Sequence, residues 1–163
     1  MNKIILVAFV LFTGFVHAQV KPEGITAADL YAKIDQKKAP SFVVLWNPNC
    51  EIGNDLLLQY QKIIQTYGLQ VDIYTVAITN MDYLLSDMAK QIDLNYPLYY
   101  IGGDQSINLR IRKEEFEVDF LKLLHREETE FTQLYIHSLD QVVYDNELAI
   151  DYAKLEALLP HSS

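Results

Sequence analysis

The sequence predicts an α/β protein: a three-layer α/β/α sandwich whose central mixed sheet has a parallel part and a C-terminal antiparallel hairpin. Phe42–Trp46 is an unbroken apolar run bounded by turn residues, which fits a strand buried on both faces of a helix-covered parallel sheet. Strand-like and helix-like patterns then alternate from Phe42 to Ile101, as expected of parallel strands joined by crossover helices. Near the end, Phe131–His137 and Val142–Tyr144 flank the turn Ser138-Leu139-Asp140-Gln141, a hairpin that adds antiparallel strands at one edge.

The N-terminus reads as a secretory signal peptide: Lys3, the apolar run Ile4–Val16, and the small-residue cleavage pattern Val16-His17-Ala18. The run is too short for a membrane span, so residues 1–18 are set aside and residues 19–163 are expected to form one domain without an integral membrane segment. That length supports a core without disulfide staples. The formal net charge of −9 becomes more negative once Lys3 is removed, which disfavours nucleic acid and anionic membrane as partners. A single cysteine, Cys50, in an exported chain cannot form an internal disulfide. It is a free thiol, an intermolecular bond or a buried structural residue.

Taken in order, Thr26 and Asp29 form a capping-box-like start to a short helix with Leu30 and Ile34 on one face, closed by the polar turn Asp35–Pro40. After Phe42–Trp46 comes a helix with Leu56, Tyr60, Ile63, Ile64 and Tyr67 in helical spacing, ended by Gly68. Val71–Ile78 is a β-branched strand. Thr79 or Asn80 caps a third helix with a stripe of Met81, Leu84, Leu85, Met88 and Ile92. Tyr96–Ile101 is a strand entered through Pro97 and ended by the turn Gly102-Gly103-Asp104. Residues 105–113 fit either a two-faced strand or a loop, because Ile107, Leu109 and Ile111 alternate with polar residues. Phe116, Phe120 and Leu123/Leu124 mark a helix over Glu114–Arg126. Leu148, Tyr152, Leu155 and Leu159 mark a last one over Glu147–Leu159.

The segment Phe42-Val-Val-Leu-Trp46-Asn-Pro-Asn-Cys50-Glu-Ile-Gly53 resembles the active-site segment of extracytoplasmic thioredoxin-like proteins of the TlpA/redoxin type. In that family an apolar strand ending Phe-Trp-Ala runs into Trp-Cys-x-x-Cys at the start of the first long helix. Trp46 matches the strand-end tryptophan and Cys50 the nucleophilic cysteine. Leu94–Leu98 is similar to the family's segment before its inserted part, and Phe131–Ile136 with Val142–Tyr144 to its Pro-Thr-x-x-x-Ile strand and hairpin. The resemblance implies a thioredoxin-like fold over the whole mature chain. Gly53 stands where the resolving cysteine would be, Asn49 replaces the tryptophan before the nucleophile, and Phe131 replaces a cis-proline. A cis bond before a non-proline residue costs about 2.5–4 kcal/mol, so an ordinary trans bond is expected before Phe131, with an altered substrate groove.

Dithiol–disulfide exchange needs a second thiol to resolve the mixed disulfide, and the chain has none. The expected role is therefore a non-catalytic domain that binds a protein or peptide partner, with Trp46, Pro48, Asn49, Gly53 and Phe131 around Cys50 as candidate binding residues. Two alternatives stay open: a monothiol redox protein forming mixed disulfides through Cys50, and an accessory subunit of a cell-envelope assembly. At the first turn of a helix Cys50 would gain from backbone N–H groups, although Glu51 beside it opposes an anion. A peroxidase pattern is absent, since its proline and threonine positions hold Val43 and Asn47. His125 and His137 are isolated, so neither a metal nor any other cofactor is expected. The acidic residues Glu114, Glu115, Glu117 and Asp119 read as a solvated helix face, and Tyr96, Tyr99 and Tyr100 as core packing or a binding surface.

Overall fold

The structure, a computed structural model, describes residues 21–103 and 107–159. The leader assigned to residues 1–18 and the turn residue Asp104 lie outside the described residues. Strands are β1 (Glu23–Ile25), β2 (Ser41–Trp46), β3 (Asp72–Ala77), β4 (Tyr99–Ile101), β5 (Gln133–Ser138) and β6 (Gln141–Asp145). Helices are α1 (Ala27–Lys37), α2 (Gly53–Tyr67), α3 (Asp82–Gln91), α4 (Leu109–Leu123) and α5 (Tyr152–Ala157). The strands form one mixed sheet in the order β1-β4-β3-β2-β5-β6. The first four are mutually parallel, and β5 and β6 run antiparallel to their neighbours.

β2 lies at the centre and all of its residues are buried, as its apolar run requires. Its alternating side chains feed two cores. Val43 and Leu45 pack with Leu30 and Ile34 of α1 and Phe116 and Phe120 of α4. Phe42, Val44 and Trp46 pack with Leu57, Tyr60 and Ile63 of α2, Leu85 of α3 and Leu155 of α5. Each large apolar side chain removed from water in these layers contributes about 1.5–3 kcal/mol.

Several boundaries differ from expectation for identifiable reasons. β1 follows a polar lead and has no periodic signal; it exists because the Glu23 N–H donates to the Leu98 carbonyl at 2.9 Å and Gly102 N–H to Ile25 at 3.0 Å. α1 forms on the full Thr26/Asp29 capping box but continues through Asp35 to Lys37, ending on a left-handed Lys38 at φ 53°. Gly68 ends α2 at φ −64°, so it is not a left-handed cap. A Cβ there would meet the Ile64 carbonyl oxygen at 2.5 Å. Thr79 is not the α3 cap, which is Met81; the Thr79 hydroxyl accepts from the Met81 N–H just before the helix. β4 is only Tyr99–Ile101, after the proline that cannot donate to a ladder.

Of the region 105–113, residues 105–106 lie outside the described residues, and 107–113 are neither strand nor simple loop. α4 starts at Leu109, capped by the Asn108 side chain, which accepts from the Arg110 and Ile111 N–H groups. Arg112 reaches from its first turn to the carbonyls of Thr79 and Ile101 at 3.0 and 3.3 Å, tying α4 to the ends of β3 and β4. α5 is shorter than expected, Tyr152–Ala157 rather than Glu147–Leu159. The Gln133 amide donates to the carbonyls of Glu147 and Ala149, and the Tyr135 hydroxyl accepts from the Asp151 N–H. These bonds hold residues 147–151 out of helical geometry until Asp151 caps α5.

Candidate functional site

β2 delivers the chain to the carboxyl end of the parallel strands, where open α/β sheets place their ligand sites. From Trp46 the backbone turns through Asn47, whose side-chain oxygen accepts from the Asn49 N–H at 2.9 Å. The Cys50 N–H donates to the Asn47 carbonyl at 3.4 Å and the Gly53 N–H to the Cys50 carbonyl at 2.9 Å. The N-cap of α2 is Ile52, without a side-chain cap bond. Cys50 therefore lies two residues before the N-cap rather than in the first turn of the helix.

Cys50 is free and exposed, which removes the buried structural residue from the sequence alternatives. Asn49, Glu51 and Ile52 are exposed with it, whereas Pro48 and Gly53 are buried. Gly53 has a specific steric cause. A Cβ at that position would lie 2.7 Å from the Pro48 carbonyl oxygen and 3.1 Å from its carbon. The turn closes so tightly onto the helix start that no side chain fits without a backbone shift.

The other flank of the strand end is the approach to β5. Val44 pairs with Gln133, and the Leu45 N–H donates to the Thr132 carbonyl at 2.8 Å. The strand pairing ends there, and Phe131 lies just before β5. The described residues contain no cis peptide bond, so the bond before Phe131 is trans. Both side chains point inward: Trp46 meets Tyr60 edge-to-face at 5.9 Å, and Phe131 packs on Phe120 at 6.0 Å. Of the candidate binding residues, only Asn49 offers its side chain to solvent beside Cys50. Trp46, Pro48, Gly53 and Phe131 shape the backbone there rather than a side-chain contact surface.

One residue beside the site was expected elsewhere. Glu117, read as part of a solvated acidic face, is only 1 % exposed. Its Oε1 accepts from the Phe131 N–H at 2.8 Å and from the Lys113 ammonium at 2.6 Å. Burial pushes its carboxyl pKa up, against the pull of Lys113 and the Phe131 N–H. Its spacing from Phe120 and Leu121 places it on the core arc of α4, a helical signal that was present in the sequence.

The tyrosines do not gather into one surface. Tyr99 packs on Tyr74 at 5.9 Å in one core, Tyr100 lies against the opposite core, and the Tyr96 hydroxyl accepts from the Ile73 N–H at 3.5 Å. Among the described residues no group of three or more His, Cys, Asp or Glu could hold a metal ion.

A central strand ending beside a cysteine-bearing turn, parallel neighbours on one side and an antiparallel hairpin on the other, with helices on both faces, defines the thioredoxin-like α/β fold. No family model matches the chain, and no curated protein matches it. Among solved structures it is similar to a secreted Mycobacterium tuberculosis disulfide oxidoreductase homologous to E. coli DsbE. That similarity is 13% in identity, covers 86% of this chain and 95% of the other, and has a TM-score of 0.46.

Proposed function

We propose that the chain is an exported thioredoxin-like domain that binds a protein or peptide partner and does not catalyse dithiol–disulfide exchange. The supporting observation is the geometry at Gly53. The position of a resolving thiol is filled by a residue whose missing Cβ would collide with the Pro48 carbonyl at 2.7 Å. The chain offers no other thiol, so a mixed disulfide at Cys50 has no internal route to resolution. What remains at the strand end is an exposed turn, Asn49–Ile52, presented on a rigid sheet. Among the described residues no helix is long and apolar enough to cross a membrane. The test is an insulin-reduction and disulfide-isomerisation assay on purified protein. No turnover above the thiol-buffer background is expected; turnover that Cys50→Ser abolishes would overturn the reading.

A second reading is favoured by the exposure of Cys50: a monothiol role, in which its thiolate attacks a client or carrier disulfide, forming a mixed disulfide and releasing the other sulfur as a thiol. The pH dependence of Cys50 alkylation separates the two. An alkylation midpoint well below that of an ordinary thiol supports the monothiol role, and an ordinary midpoint rejects it.

A further inference from the structure

The two edges of the sheet are built differently. β1 spans three residues, follows Pro22, and carries Glu23, which pairs with Lys33 at 3.2 Å. Shortness, proline and charge are the ordinary devices that keep an edge from pairing with another chain. β6 is longer and carries no proline. It spans five residues, Gln141-Val142-Val143-Tyr144-Asp145. Its one charge, Asp145, is already held by Lys154 at 2.5 Å and by the Glu147 N–H at 2.9 Å. Val143 and Tyr144 are 44% and 46% exposed. They project to opposite faces, since Val143 lies beside Tyr135 and Tyr144 beside Leu134. Among the described residues β6 has a strand neighbour on one side only.

We propose that β6 pairs antiparallel with β6 of a second copy, about a two-fold axis through Val143, joining the two sheets into one. The strand is self-complementary in that register. Val143 faces itself, Val142 faces Tyr144, and Gln141 faces Asp145, so the facing pairs are β-branched or aromatic with no like charges opposed. A two-fold contact requires this kind of self-matching patch. At β6 two copies would meet across a single, already neutralised carboxylate per copy. This contact is independent of Cys50 and of any partner bound at the turn.

The experiment is sedimentation equilibrium of the mature chain carrying Cys50→Ser, from micromolar to near-millimolar concentration. A monomer–dimer equilibrium is expected, and Val143→Lys, which sets two ammonium groups across the axis, should weaken it about tenfold or more while leaving the far-UV spectrum unchanged. A second variant, Val143→Cys in the same background, should give a disulfide-linked dimer under mild oxidation far faster than Leu69→Cys, a fully exposed control site. A chain that stays monomeric throughout, a dimer indifferent to Val143→Lys, or equal crosslinking at both sites would overturn the proposal. Capture of an extended peptide by a monomeric chain would overturn it too.

Discussion

Two segments flank the end of β2, and they are held by different means. The Pro48–Ile52 turn carries Cys50 in solvent and is secured by neutral backbone bonds and the Asn47 side chain. The Glu130–Thr132 segment carries Phe131 in the core and is secured by the buried carboxylate of Glu117, itself paired with Lys113. A buried charge is costly unless paired and hydrogen-bonded, and Glu117 is both. Its hydrogen bond to the Phe131 N–H holds the chain just before Gln133 pairs with Val44. The thiol side has received no comparable buried support. The difference is between a segment fixed by a buried, hydrogen-bonded carboxylate and one left in solvent.

The sharpest way to break this comparison is Glu117→Leu. It leaves the Phe131 N–H buried without an acceptor and Lys113 without its partner. A loss of about 2–3 kcal/mol is expected. Thermal unfolding should show this as a fall of roughly 5–10 °C in Tm. A neutral effect would mean that the Phe131 segment is held by its aromatic packing alone. Next comes Gly53→Ala on the opposite flank. Helix propensity favours alanine by up to about 1 kcal/mol, but the contact with the Pro48 carbonyl outweighs it. A net loss of about 1–2 kcal/mol in chemical denaturation is expected. A stabilised variant would show the turn to be soft, and would remove the steric reason for the missing resolving thiol.

How far the sequence discloses this molecule follows from where each signal resides. β2, α1, α2 and the terminal hairpin were legible because apolar period, capping residues and turn chemistry are local properties. The start of α4 was not, because Ile107 and Ile111 mimic a strand face although both are exposed. What begins that helix is the Asn108 cap together with Arg112 reaching strands far away in the chain. The late start of α5 likewise depends on Gln133 and Tyr135, which bond to it across the sheet. At the site, the identity of Gly53 was visible but not its cause, since the Pro48 carbonyl becomes a wall only in three dimensions. Glu117 was half-legible: its position on the core arc was readable, but acidic neighbours on both sides concealed it.

A gentler change tests whether charge or merely an acceptor holds Phe131. Glu117→Gln keeps a carbonyl oxygen for the Phe131 N–H and loses the bond to Lys113. The buried carboxyl titrates above the ordinary glutamate value of 4.5, so the protonated form is the one the fold favours. Its contribution is therefore fully present below that ordinary value and is lost as pH rises through the raised folded one. The glutamine variant, which cannot ionise, should compare worst with the native chain in acid and approach it as pH rises. At neutral pH the gap should be about 1 kcal/mol or less. A gap that widens with pH in denaturation curves would show that the ionised form is the favoured one.

The smallest effect belongs to the thiol itself. Because Cys50 is exposed and outside α2, replacing its sulfur with a hydroxyl removes no core packing and no helix cap. Cys50→Ser should change stability by less than about 0.5 kcal/mol, within the range of ordinary surface substitutions. A thiol reagent should label the native chain nearly as fast as the unfolded one. A marked loss of stability, or protection from labelling until denaturation, would place Cys50 among the groups that hold the fold. The two flanks of β2 would then be supported alike. If instead the substitution is silent while Glu117→Leu is costly, the asymmetry is a property of the protein.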